Sequence, residues 1–172
     1  MASLPSVPLH FNSRMNGVKQ LSNFAYCVLG GRRTTVEHEY QARKIEAMFG
    51  DVKYAEHIRL LATPQQAKKA GSMGGWIEWM KNEMKSPSTK VSLKKQFKEA
   101  MSAKWIPQSE SQMRKLVMEK FSPTSNADMW NFLNSTEDRP LHEVGRPNVW
   151  TKSGGDLLGR LLCEVRQHYR EK

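Results

Sequence analysis

Four polar side chains share one predicted helical face in the first third of the chain. They stand at positions i, i+3, i+4 and i+7, and they are Glu37, Tyr40, Gln41 and Lys44. Residues with this spacing lie above one another on an α-helix. A carboxylate, a phenol, an amide and an amine make a poor core seam, because each needs a hydrogen-bond partner when it is buried. The spacing therefore favours the wall of an active site.

Two other interpretations of the same segment depend on neighbouring residues. Thr34 and Glu37 match the N-cap and N3 positions of a capping box, in which Glu37 would only help to start a helix. Capping boxes are common, so this interpretation stays open on the residues alone. His38 and Glu39 begin like a zinc-protease motif, but Ala42 stands where the second histidine belongs. The sequence therefore predicts no metal site here.

The chemistry that Glu37 could support depends on its surroundings. If Glu37 lies in the first helical turn, the positive end of the helix dipole favours its ionised form, whereas burial acts the other way. An ionised carboxylate suits an electrostatic stabiliser or a general base. Lys44 could hold a phosphate as a cation, or its neutral amine could act as a nucleophile.

The charge of the chain points to a polyanionic partner. The 172 residues carry a net charge of +10, and residues 81–120 alone carry ten Lys or Arg against four Glu. A concentrated basic stretch predicts contact with nucleic acid or another polyanion, although a basic face can also be merely solvated.

Length and composition limit the class of protein. A chain of this length is predicted to form one domain over residues 1–172. It has no apolar run long enough to span a membrane, and residues 1–8 lack the basic and apolar parts of a secretory signal. Two cysteines, Cys27 and Cys163, are predicted to be reduced, which favours the cytoplasm.

We call Glu37, Tyr40, Gln41 and Lys44 the polar stripe, and the elements that must position it are predicted to form a mostly helical α+β fold. Short strands are predicted around residues 8–11 and 24–29, and a helix from Val36 to the stop at Gly50. Further helices are predicted from Asp51 to Leu61, from Thr63 to Gly71, and over residues 88–105, 109–121 and 125–133. Residues 71–75 are predicted to be a flexible glycine hinge.

The last predicted helix opens at Gly154, Gly155 and Asp156. Glycines and backbone N–H groups at a helix start bind anions well, so this segment is a candidate phosphate site. Loops use paired glycines freely, and an ordinary loop is the alternative.

Four ordered segments resemble the NADAR (YbiA-like) family over nearly the whole chain. They are Leu21-Ser22-Asn23-Phe24; Val36-Glu37-His38 with Tyr40-Gln41-Ala42 and Lys44; Thr63-Pro64 with Ala67-Lys68 and Gly71; and Gly155-Asp156-Leu157-Leu158-Gly159 ending in Val165-Arg166. The resemblance implies a mostly helical α+β domain that hydrolyses the N-glycosidic bond between a ribose and a base or amine.

The resemblance also implies roles for individual residues. Glu37 resembles the essential acidic residue of the family, and Lys44 resembles the lysine further along the same face. The positions that resemble substrate contacts are Ser22, Asn23, Phe24, Tyr40, Gln41, Trp150, Gly155 and Asp156. The chain departs from the family pattern at Glu39, Ser72 and Asp156, where an aromatic residue, an arginine and an asparagine are common.

Three functions follow from the resemblance and the charge. The leading one is removal of ADP-ribose from guanine in DNA or RNA, without a metal or a cofactor. A second keeps the chemistry but acts on a phosphorylated riboflavin-pathway intermediate or another ADP-ribose-like small molecule. A third is a catalytically silent module that binds ADP-ribose or nucleic acid. The sequence predicts no membrane partner and gives no oligomeric state.

Overall fold

Helices account for most of the computed structural model, which describes residues 6–83, 85, 87–151 and 153–172. The helices are α1 Val36–Phe49, α2 Val52–Arg59, α3 Pro64–Ala70, α4 Met73–Asn82, α5 Lys90–Ala100, α6 Ile106–Lys120, α7 Ala127–Ser135 and α8 Leu157–Arg170. The strands are β1 Leu9–Phe11, β2 Tyr26–Leu29, β3 Arg32–Thr35 and β4 Leu141–Glu143. Within the described ranges, no helix is long and apolar enough to cross a membrane. Residues 1–5, which carry part of the signal-peptide prediction, lie outside the described residues.

Contacts along the backbone divide the chain into two compact units. Unit 1 consists of residues 1–33 and 114–172, and unit 2 consists of residues 34–113. The candidate residues of the polar stripe all belong to unit 2. The other candidate substrate contacts belong to unit 1.

Unit 1 contains a parallel pair of short strands backed by a helix. Strand β1 pairs with β4, with Leu9 opposite Leu141 and Phe11 opposite Glu143. Helix α8 packs on β4 through its predicted apolar face, of which Leu158, Leu161, Leu162 and Val165 are buried. Strand β2 turns into β3 at Gly30 and Gly31, whose positive φ angles of 56° and 75° suit a tight hairpin.

Unit 2 is built around α1, which packs against α2, α3 and α5. Its helix boundaries agree with the start and stop residues in the sequence. Gly50 ends α1 in the left-handed conformation, Asp51 accepts a hydrogen bond from the backbone N of Tyr54, and Thr63 opens α3 with a capping box to Gln66. These three predictions are confirmed.

Most of the glycine-rich segment 71–75 is helical rather than a hinge, because α4 begins at Met73 and only Gly71 and Ser72 separate it from α3. Ser72 is the N-cap of α4, and its Oγ accepts a hydrogen bond from the backbone N of Gly75 at 3.2 Å. A good N-cap outweighs the modest helix penalty of two glycines, because Trp76 and Ile77 on the same helix are buried. The predicted hinge is wrong.

The predicted amphipathic helix over residues 88–105 is interrupted near its end. Helix α5 stops at Ala100 and continues through a π-helical turn, Met101–Trp105, directly into α6. Leu93, Phe97 and Trp105 are buried, as their spacing predicts. The wider π-helical turn shifts the phase of the helix and carries Trp105 towards α1.

Candidate active site on helix α1

Helix α1 begins one residue later than a capping box of Thr34 and Glu37 requires. Thr35 is the N-cap, and its Oγ1 accepts a hydrogen bond from the backbone N of His38 at 3.2 Å. The His38 ring closes the arrangement, with Nδ1 2.8 Å from Thr35 Oγ1 and Nε2 3.0 Å from the carbonyl oxygen of Leu61. Since a carbonyl only accepts, Nε2 carries the hydrogen. The capping-box interpretation of Glu37 is wrong.

The side chain of Glu37 instead forms its hydrogen bond within the polar stripe. Glu37, Tyr40, Gln41 and Lys44 are all buried, each with 7% of its surface exposed. Gln41 Nε2 donates a hydrogen bond of 2.8 Å to Glu37 Oε1. The structure therefore brings these four predicted residues together on one buried face of α1.

Gly71, at the C-terminal end of α3, fixes the position of Gln41. A Cβ added at Gly71 would lie 2.1 Å from Gln41 Oε1 and 2.8 Å from Gln41 Cβ. The same Oε1 is buried, and among the residues that the structure describes it has no hydrogen-bond partner. Only glycine allows α3 to approach α1 so closely, and the approach holds the amide against Glu37.

Replacing Gly71 with alanine should therefore displace Gln41. We expect a loss of about 1–3 kcal/mol in the free energy of unfolding, because the backbone-linked Cβ of Gln41 cannot move aside cheaply. Urea unfolding would measure the change. Gly74→Ala is the matched control, because its nearest atom would be Ser72 Oγ at 3.8 Å and alanine favours a helix. Equal stabilities of the two variants would contradict the packing argument.

Burial changes the acid–base properties of Glu37 and Lys44. It raises the pKa of the Glu37 carboxyl, against the hydrogen bond from Gln41 and the positive charges of Lys68 and Lys44. Burial lowers the pKa of the Lys44 amine to about 8, with Glu37 opposing the change and Lys68 adding to it. For Glu37 burial outweighs the factors that favour ionisation. With a pKa of about 8, about a tenth of Lys44 is neutral at pH 7.

The lowered pKa of Lys44 makes the stability of the fold depend on pH. Unfolding restores the ordinary pKa of about 10.4, so the unfolded chain holds an extra proton between pH 8 and 10.4. Stability should rise with pH through this window, and Lys44→Met should lack the rise. We expect the wild-type minus variant difference to grow by roughly 3 kcal/mol between pH 7 and 10.5 in urea unfolding.

Subtracting the free energy of unfolding of Lys44→Met from that of the wild type removes the opposing pH effects of other titratable groups. Burial raises the pKa of Cys27 to about 11 and of Tyr40 to about 12, and both residues are present in the variant. Lys95→Met serves as the control, because Lys95 is exposed and pairs with Glu99 at 3.9 Å. A difference for Lys44→Met that stays constant with pH would contradict the lowered pKa.

Tyr40 packs its ring edge-on against Trp105, with ring centroids 5.0 Å apart and an interplanar angle of 69°. Burial raises the pKa of its phenol to about 12, while hydrogen bonds with Trp105 and Ser109 oppose the change. The phenol stays protonated at physiological pH. Trp105 and Ser109 thus hold the hydroxyl in place at one end of the buried face.

Unit 2 also contains two surface cavities next to α4. The larger, about 910 Å³, lies among α2, α3 and α4 beside the stacked rings of Tyr54 and Trp79. The smaller, about 480 Å³, lies between α4 and α5. Neither of these two cavities is lined by Glu37 or Lys44.

In unit 1, the predicted contacts Ser22, Asn23 and Phe24 form a tight turn. The backbone N of Phe24 donates to Ser22 Oγ at 3.2 Å, and Ser22 and Asn23 are buried. Lys120, which is completely buried, donates from Nζ to the carbonyl oxygen of Ser22 at 2.6 Å. Burial lowers the pKa of Lys120 to about 8, against the negative charge of Glu143. The turn is therefore anchored from inside the unit.

The backbone around Gly155 and Asp156 is already hydrogen-bonded within unit 1. The N–H groups of Gly154, Gly155 and Asp156 all donate to the carbonyl oxygen of Thr151, at 3.0, 3.0 and 2.7 Å. The backbone N of half-buried Trp150 is also hydrogen-bonded, since it donates to Asn148 Oδ1 at 2.8 Å. An anion bound by these amides would have to compete with these bonds, and their role in binding stays a prediction.

Asp156 forms a pair that the sequence did not indicate. Its Oδ2 lies 2.6 Å from Nδ1 of His142 on β4, and its backbone is in the left-handed conformation, with φ of 57°. A Cβ at Gly159 would lie 2.7 Å from Asp156 Oδ1 and 2.0 Å from the carbonyl oxygen of Leu141. Gly159 thus allows α8 to approach β4, where Asp156 orients the imidazole.

Sequence reasoning missed three residues near the predicted ones. Lys68 acts on both Glu37 and Lys44 through its charge, and its place in the Ala67-Lys68 segment was the available signal. The hydrogen bonds of Lys120 and His142 could not be predicted from the sequence, because their partners are distant along the chain.

Comparisons with known proteins identify the fold. No protein-family model matches the chain, and no curated protein matches it. Among solved structures, the chain is similar to the NMR structure of the Escherichia coli protein YbiA, with 24% sequence identity and a TM-score of 0.68. The similarity covers 98% of this chain and 88% of YbiA. The chain therefore has a YbiA-like fold, and the predicted mostly helical α+β class is confirmed.

Proposed function

We propose that the protein is an N-glycosidase of the NADAR type that removes ADP-ribose from guanine in DNA or RNA. The observation that carries this proposal is the buried pair on α1, in which a carboxylate held by Gln41 accompanies an amine whose pKa is lowered to about 8. The YbiA-like fold supports the proposal at the level of architecture.

Glu37 supplies the electrostatic part of the chemistry. Breaking a ribosyl C1–N bond develops positive charge on the sugar, which a fixed carboxylate stabilises in the transition state but not in the ground state. A buried carboxylate acts strongly because the low dielectric around it weakens screening. Its raised pKa also suits a group that accepts and releases a proton during turnover.

Lys44 supplies the nucleophile. Its neutral amine attacks C1 while the bond to the guanine nitrogen breaks with its electron pair. One amine proton passes, by way of Glu37, to the leaving nitrogen, and the other reaches the ring oxygen as the ribose opens to an imine. Water then hydrolyses the imine, which releases ADP-ribose and restores the amine.

The basic charge of the chain favours a nucleic-acid substrate over a free metabolite. The net charge is +10 and is concentrated in residues 81–120, which suits a phosphate polymer. Tyr40 and Gln41 orient the sugar beside the reacting pair. Within unit 1, the turn at Ser22–Phe24 and the residues Trp150, Gly155 and Asp156 remain predicted substrate contacts.

A panel of substrates tests the proposed function. The protein is incubated separately with DNA carrying ADP-ribosyl-guanine, with ADP-ribosylated protein and with phosphorylated riboflavin-pathway intermediates, and products are identified by mass spectrometry. We expect free ADP-ribose and restored guanine from the DNA alone. Release only from the riboflavin intermediates would reassign the substrate, and binding without release from any of them would refute the enzyme.

A further inference from the structure

A groove between α4 and α5 brings together three lysines from two helices. Its volume is about 480 Å³, and it is lined by Lys81 of α4 and by Lys90 and Lys94 of α5. Apolar groups of Met73 and Ile77 also line it. We call this feature the lysine groove.

The positive charge of the lysine groove is not neutralised by the chain itself. All three lysines are exposed, and in the part of the chain that the structure describes none has a carboxylate within 4 Å. By contrast, Lys95 on the same helix lies 3.9 Å from Glu99. Of the described residues that line the groove, Glu78 is the single acidic one, so the groove keeps a net positive charge.

The spacing of the lysines suits a linear row of negative charges. Lys90 and Lys94 are four residues apart on α5, which separates them by about 6 Å along the helix axis, and Lys81 adds a third charge from α4. A row of this kind offers successive contacts to a polymer with regularly spaced phosphates, whereas a single phosphate would use only one or two of them. Among the residues that the structure describes, no arginine lines the groove, so its positive charges are lysine ammonium groups, which bind phosphate as point charges.

We propose that the lysine groove binds the phosphodiester backbone of a nucleic acid through Lys81, Lys90 and Lys94. The inference rests on the proposed function, because it assigns the surface that holds the polymer bearing the modified guanine. The lysines act as positioning contacts and take no part in bond breaking. The apolar side chains between them leave room for sugars beside the phosphates.

Binding of unmodified nucleic acid tests this inference separately from catalysis. A fluorescent 20-nucleotide DNA strand without ADP-ribose is titrated with protein at several salt concentrations, and anisotropy gives the affinity. The variant is Lys81→Gln with Lys90→Gln and Lys94→Gln. The matched control removes three exposed lysines of unit 1, Lys19, Lys115 and Lys172, with circular dichroism to verify folding.

We expect the groove variant to bind about 10–100-fold more weakly at 0.1 M salt, and the slope of log affinity against log salt to fall by about two to three. The control should change less than threefold. Equal losses in both variants, or unchanged binding by the groove variant, would overturn the proposal. Displacement by polyglutamate as effective as by DNA, at equal charge, would assign the groove to acidic proteins instead.

The outcomes for the groove and for the enzyme are distinguishable. If the proposed function fails, no substrate of the panel is cleaved, yet DNA binding still depends on the three lysines. If only the groove proposal fails, ADP-ribosyl-guanine DNA is cleaved by the groove variant with an unchanged KM. A correct groove proposal predicts a raised KM for modified DNA and an unchanged kcat/KM for free ADP-ribosyl-guanosine.

Discussion

Glu37→Gln should lower the rate of ADP-ribosyl-guanine cleavage by about 10²–10³-fold while the protein remains folded. The amide has the shape of the carboxylate, and its oxygen can still accept the 2.8 Å hydrogen bond from Gln41. What it lacks is the negative charge that stabilises the sugar cation. Single-turnover release of ADP-ribose measures the loss, and thermal unfolding verifies the fold.

Glu39→Gln provides the control for removing a carboxylate from α1. Glu39 lies 3.0 Å from Arg59 and 3.7 Å from Arg43, outside the polar stripe. Its loss should weaken an ion-pair network and change cleavage by less than about threefold, within the small range typical of such pairs. Comparable activity losses in the two variants would show that Glu37 has no special role.

Lys44→Met should reduce cleavage by about 10³-fold or more, because it removes the attacking amine. Lys44→Arg separates the two possible roles of the residue. Arginine keeps a positive charge but cannot lose its proton. A nucleophilic Lys44 predicts that both variants are inactive, whereas a phosphate-binding Lys44 predicts that the arginine variant keeps much of its kcat and changes mainly in KM.

A loss of cleavage by Lys44→Met is informative only if the variant remains folded. Methionine fills much of the volume of lysine and removes a charge whose burial is costly, so Lys44→Met should not unfold the protein at pH 7. Lys95→Met, at an exposed position, should leave cleavage unchanged. Full activity of Lys44→Met would remove Lys44 from the mechanism.

Helix boundaries and the polar face of α1 could be predicted because their causes are local. Gly50, Asp51 and Thr63 act on backbone groups within four residues, and the structure confirms each of them. The period of the helix fixed which side chains share a face. The burial of Glu37 and Lys44 could not be predicted in the same way, because polar side chains of these types are usually exposed.

The remaining features depend on contacts that the local pattern does not contain. By residue type, Thr34 and Thr35 are equally suited to be the N-cap of α1. In the structure the His38 ring contacts Thr35 Oγ1 and also the carbonyl oxygen of Leu61, which is distant in sequence. Residues 73–75 are helical because Trp76 and Ile77 are buried, and this burial outweighs the helix penalty of Gly74 and Gly75. The pairs of Lys120 with Ser22 and His142 with Asp156 join segments 98 and 14 residues apart.

Borohydride trapping shows whether Lys44 attacks the sugar, because it reports on the amine of Lys44 and on the sugar in one measurement. Protein turning over ADP-ribosyl-guanine DNA is treated with borohydride, digested and analysed by mass spectrometry. We predict a reduced ADP-ribosyl adduct on the peptide containing Lys44, absent from Lys44→Met. Normal cleavage without an adduct, or with an adduct on another lysine, would rule out nucleophilic attack by Lys44.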